Sequence, residues 1–95
     1  MRKAAKIDEN QVSIVSDLRK AGALVLSLAA VGKGCADLLV YRCGRLSLLE
    51  LKNPDMPPSK RRLTKDQISF HRFWPVTVVT TIEEAIAATQ GDHRR

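Results

Sequence analysis

Three residues in this 95-residue chain have types and spacing that could do chemistry together: Asp37, Glu50 and Lys52. They lie in or beside two apolar runs, 36–42 and 45–52, which flank Cys43-Gly44. Two such runs around a two-residue turn with a glycine read as a β-hairpin. With Cys43 and Gly44 as the turn, Arg42 faces Arg45, Tyr41 faces Leu46, and Asp37 faces Glu50. Directly opposed residues share a face of the sheet. Lys52, two residues beyond Glu50, shares that face by the period-two alternation of a strand. Two carboxylates and an ammonium then converge where an apolar strand runs out. Opposed like charges are destabilising unless something compensates, and a divalent cation between them would do so. Oxygen-only ligands favour Mg²⁺ or Mn²⁺ over zinc. Such an ion would polarise a phosphate and lower the pKa of a bound water, with Lys52 orienting that water or stabilising charge on phosphorus. The bland alternative is a surface Glu-Lys pair with Asp37 as a polar residue at a strand start. A turn of odd length would put Asp37 on the other face.

Around that hairpin the chain predicts a helix opening at Asp8, with Val12, Ile14, Val15, Leu18 and Ala21 at helical spacing and Gly22 as its stop. Residues 24–29 read as a buried strand, and 31–34 as a flexible loop. Leu46, Leu48, Leu49 and Leu51 make the second hairpin strand apolar on both faces, as in a central, covered strand. Residues 53–62 contain three prolines and read as an irregular basic loop. Thr64 opens a helix through about Phe73, with Gln67 completing a capping box, and Pro75 ends it. A strand over 76–80 and a helix from Thr81 to about Gln90 follow. The ends, 1–6 and 91–95, read as mobile. The order is α-β-β-β-α-β-α: an α/β fold, a mixed sheet with helices against it, in one domain.

Composition limits the partners. Sixteen Lys and Arg against ten Asp and Glu give a charge of +6 and a pI near 9.8, which suits a polyanion. No apolar run approaches the roughly 18–20 residues needed to span a bilayer, and a soluble, cytoplasmic protein is expected. Two cysteines, Cys35 and Cys43, are too few for a disulfide framework and have no partners for a zinc site. Lys60, Arg61, Arg62 and Lys65 form the densest positive patch, suited to gripping DNA phosphates beside the acids; the alternative is a solvated loop. Lys33, between two glycines, could do the same on the opposite rim. Trp74 reads as core, and His71 as a packed or surface residue.

Gly34-Cys35-Ala36-Asp37 followed by Glu50-Leu51-Lys52 resembles the PD-(D/E)XK nuclease signature, with Ala36 where the superfamily's name has Pro. Over roughly residues 7–89 the chain is similar to the small stand-alone VRR-NUC nucleases of viruses and phages. Leu63-Thr64-Lys65-Asp66-Gln67 is similar to the start of that family's Gln-containing helix. The resemblance implies a restriction-endonuclease-like core, Mg²⁺- or Mn²⁺-dependent DNA cleavage, a homodimer, and likeness to Holliday-junction resolvases acting on branched DNA. It further implies an active-site role for Gln67 and a metal contact, direct or through water, for Glu9. Each has a local alternative: Gln67 as a helix cap, and Glu9 as a charge suited to a helix dipole. The rival readings are an inactive nucleic-acid-binding module of the same fold and an assembly component; RNA is the alternative substrate.

Overall fold

The computed structural model describes residues 9–91. The expected helix opening at Asp8, the basic residues 1–6 and the tail after residue 91 lie outside them. The elements run α1 (Glu9–Lys20), β1 (Leu24–Ser27), β2 (Leu38–Arg42), β3 (Arg45–Leu51), α2 (Pro58–Arg61), α3 (Lys65–Phe73), β4 (Val76–Val79) and α4 (Ile82–Ala88). The strands form one mixed sheet in the order β1-β2-β3-β4, antiparallel except for the parallel pair β3-β4.

Local chemistry explains most of the boundaries. Glu9 in the first turn of α1 and Arg19 and Lys20 in its last complement the helix dipole. Gly22, at φ +95°, turns the chain out of the helix, where the N–H of Ala23 donates to the Leu18 carbonyl. Cys43 and Gly44 both adopt positive φ, as a two-residue hairpin turn matched to strand twist requires. The pairing Arg42–Arg45 through Leu38–Leu49 is the register expected from that turn. One segment differs. Pro58–Arg61 is a single helical turn within the segment expected to be irregular; proline at the first helical positions gives up no hydrogen bond there.

The sheet has two unlike faces. Leu38, Val40, Leu49 and Val79 point to one and are buried with Ile14 and Leu18 of α1 and Ala85 of α4. This is the core. Leu24, Leu26, Leu39, Tyr41, Leu46, Leu48 and Glu50 alternate to the other face. There β1 is not the buried strand its composition suggests: it is an edge, with Leu24 70% exposed. β3 is central, as expected, but its outer face is covered only in part, and Leu46 is 65% exposed. Trp74, expected in the core, is 55% exposed. Apolar composition does not say which side of a sheet receives helices.

Candidate active site

Glu50 lies on the outer face near the end of β3 and is only 2% exposed. The covering element is α3, and Gln67 is its point of contact. Gln67 Nε2 donates to Glu50 Oε2 at 2.8 Å, while Gln67 Oε1 accepts from Lys52 Nζ at 3.2 Å. Lys52 Nζ also lies 3.5 Å from Glu50 Oε2. Gln67 is held in turn by a complete capping box: Thr64 Oγ1 accepts from Gln67 N at 3.1 Å, and Gln67 Oε1 accepts from Thr64 N at 2.9 Å. Gln67 is therefore the cap of α3 and also the side chain that bridges Glu50 and Lys52. A carboxylate on one side and two N–H donors on the other leave the amide a single satisfied orientation.

Asp37 reaches the site by another route than the one expected. The β2–β3 ladder ends at Leu38–Leu49, so Asp37 is not a ladder partner of Glu50. Its N–H donates to the Leu49 carbonyl, one residue off register, as at a β-bulge. Its side chain replaces the missing strand: Oδ2 accepts from Leu51 N at 2.7 Å. The carboxylate still acts on Glu50. Burial, and then the negative charge of Asp37, hold the Glu50 carboxyl up at about 7, against the lowering influence of Lys52. Glu50 Oε2 is engaged, whereas no donor of the fold reaches the buried Oε1; a proton shared with the Asp37 carboxyl raises Glu50 further.

That oxygen tests whether the residues fit a cation. A buried acceptor beside a second carboxylate, with one ammonium as compensation, is short of positive charge. Asp37 and Glu50 offer hard oxygen donors, which suit Mg²⁺ or Mn²⁺. Among the described residues no group of three or more His, Cys, Asp or Glu is gathered. Glu9, exposed in the first turn of α1, therefore does not complete a three-acid cluster with this pair; its neighbour Asn10 approaches instead. Asn10 Nδ2 donates to the carbonyls of Thr80, at 3.3 Å, and Lys52, at 3.5 Å, tying α1 to the backbone that carries Lys52. Nothing in the spacing of Asn10 signals that role.

The glycine loop is packed rather than free. A Cβ on Gly34, at φ +79°, would collide with the Asp66 backbone in the first turn of α3. The loop carrying Lys33 consequently lies against the start of α3. Lys33, Arg62 and Lys65 are exposed, and Arg61 is half-buried. Lys60 lies in α2. His71, one turn beyond Gln67, is half-buried, and its pKa is lowered by burial and then by the charge of Lys52. Cys35 and Cys43 are free thiols. No helix among the described residues is long and apolar enough to cross a membrane.

Fold and site together define a small α/β domain with a carboxylate pair, Asp37 and the buried Glu50, and a hydrogen-bonded lysine at one end of its sheet. No model of a known protein family, no curated protein and no solved structure matches the chain.

Proposed function

We propose that this chain is a metal-dependent nuclease that hydrolyses phosphodiester bonds in DNA, with a restriction-endonuclease-like core of the VRR-NUC kind. The observation that carries the reading is Glu50: a carboxylate buried beside a second acid, one oxygen that no donor of the fold reaches, and a lysine fixed alongside. A fold gains nothing from placing like charges there, whereas a cation site needs them.

Asp37 and Glu50 are the residues that would hold Mg²⁺ or Mn²⁺. The ion, when bound, supplies Lewis-acid polarisation of the scissile phosphate and a water of lowered pKa. The other steps belong to the chain. Lys52 presents a positive charge and N–H donors to a phosphate oxygen, stabilising the charge that develops there. Gln67 fixes both Lys52 and Glu50 in place, so neither must reorganise during the reaction. The Leu51 N–H keeps Asp37 turned toward the site. Lys33, Lys60, Arg61, Arg62 and Lys65 serve the phosphates that flank the cut, independent of sequence. The substrate proposed is branched DNA, acted on by a homodimer whose two sites would meet a two-fold junction.

The test is cleavage of an end-labelled four-way junction and a matched linear duplex with Mg²⁺, Mn²⁺ or EDTA, comparing the native chain with Glu50→Ala. Metal-dependent cutting by the native chain alone is expected, with Glu50→Ala still binding DNA. Binding with steep salt dependence but no cutting would replace the nuclease with a DNA-binding module.

A further inference from the structure

Three of the chain's four aromatic side chains, Tyr41, Phe73 and Trp74, are exposed. Trp74 lines a groove of about 460 Å³, together with Leu39, Leu46, Leu48, Pro75 and the exposed Arg45. Tyr41 faces Leu46 across the β2–β3 ladder.

We infer that this groove takes an unpaired nucleobase, stacked on Trp74, from the strand whose phosphate lies at Glu50 and Lys52. The position of that phosphate rests on the nuclease reading; the stacking does not. Three observations point to a base. The first is continuity with the site. Leu48 and Leu46 precede Glu50 by two and four residues on the same face, about 7 and about 14 Å along β3. Those are steps of one and two nucleotides in an extended strand. The helix above follows the same course, from Gln67 at Glu50 to Trp74 at the C-cap of α3.

The second observation is the ring itself. Phe70 stacks on Trp74 at 13°, with centroids 5.5 Å apart, which fixes the plane of the indole. Trp74 nevertheless remains 55% exposed. A braced, bare ring is a platform on which any base can stack without being read. Ser47 and Thr77 add hydroxyls to the lining, which holds no amide or carboxylate to pair with a base edge. Recognition is therefore tolerant of sequence.

The third observation is charge. Arg45 Nη1 donates to the Gln90 carbonyl at 3.4 Å, which steadies a guanidinium with further N–H donors to offer a phosphate. The acid on this face, Glu50, lies at the other end, where the cation is proposed. In a chain of charge +6, an arginine beside an open aromatic suits a polyanion that carries flat rings. A paired base cannot enter without leaving its stack. The substrate class is then DNA with an unpaired nucleotide one or two positions from the cut.

Trp74 is the chain's one tryptophan, so its emission reports on the groove. The native chain, in EDTA, is titrated with an oligothymidylate of roughly twelve nucleotides and with the matched duplex. Anisotropy of an end label follows binding, and Trp74 emission follows stacking. The single strand is expected to quench Trp74, and the bound duplex to leave it bright. Trp74→Ala should weaken single-strand binding roughly 10- to 100-fold and leave duplex binding unchanged; Trp74→Phe should restore most of it. Leu46→Glu, at an exposed position that keeps the tryptophan, should weaken it similarly and abolish the quenching. Single-strand binding without quenching, equal quenching by the duplex, or native affinity in both Trp74→Ala and Leu46→Glu overturns the proposal. So does Trp74 emission that changes with protein concentration in the absence of DNA, which would give the groove to a second copy. Cleavage with Mg²⁺ or Mn²⁺ separates the two readings. A chain that is quenched but cuts nothing keeps the groove and loses the nuclease; a chain that cuts without quenching does the reverse.

Discussion

The two faces of one four-stranded sheet are built from much the same residue types, yet only one is closed. On the inner face Leu38, Val40, Leu49 and Val79 meet α1 and α4 and are lost to solvent. The outer face carries Leu24, Leu26, Tyr41 and Leu46 into solvent, and its one well-covered residue is an acid. The inner face is organised for stability. The outer face places a charge where an apolar residue would pack at less cost, and holds it with Gln67 and Lys52. The packed core and the candidate site are thus divided between the two sides of the same strands.

The largest effect expected from breaking this division is on the inner side. Leu49→Ala, at a fully buried position, should cost about 2–5 kcal/mol by leaving a cavity. The same change at Leu46 should cost the monomer a small fraction of that. Equal losses in chemical denaturation would show that the outer face is buried after all.

The next effect concerns Glu50 and has a sign that depends on pH. Its carboxyl is raised from an ordinary 4.5 to about 7 in the fold, so the folded chain holds that proton more tightly than the unfolded one. The contribution to stability is present below about pH 4.5 and is lost as pH rises through about 7. A shift of that size corresponds to roughly 3 kcal/mol at most. The metal-free protein should therefore lose Tm between about pH 5 and pH 8. Glu50→Gln should flatten that dependence and be the more stable protein at pH 8, while losing cleavage. Mg²⁺ or Mn²⁺ should raise Tm of the native chain at the higher pH and leave Glu50→Gln unmoved. A native Tm that rises over this range would mean that Glu50 gains more from Lys52 than it loses by burial.

The smallest effect is at the helix that joins site to sheet. Thr64→Ala removes the hydroxyl that caps α3 and should cost about 1 kcal/mol. Cleavage should fall through kcat rather than KM, since Gln67 is displaced from Lys52 while the lysines proposed to hold flanking phosphates are untouched. Thr64→Ser should restore both. A change in KM alone would place Gln67 outside the reacting centre.

Much of this layout was legible in the residues. The apolar spacing of α1, the turn at Cys43-Gly44 and the Thr64–Gln67 capping box are local signals, and the corresponding elements lie where those signals put them. The hairpin register follows from its turn, and Glu50 and Lys52 are assigned to a common face by period-two alternation alone. Asp37 shows the limit. Its placement assumed that the ladder continues one pair further than it does; the side chain arrives through the Leu51 N–H instead. Trp74 and β1 fail for a related reason. Their composition is that of a core, and nothing in the chain says that no helix of the same chain covers them.

By itself the sequence determined the elements other than the short turn α2, the hairpin register and the candidate residues for chemistry. All of these depend on interactions within a few residues or across one tight turn. Tertiary structure decided which face of the sheet received α1 and α4, that the glycine loop at Gly34 packs on α3, and that Gln67 spans Glu50 and Lys52. Those choices depend on packing between elements distant along the chain, and periodicity carries no record of which surface an apolar face will meet.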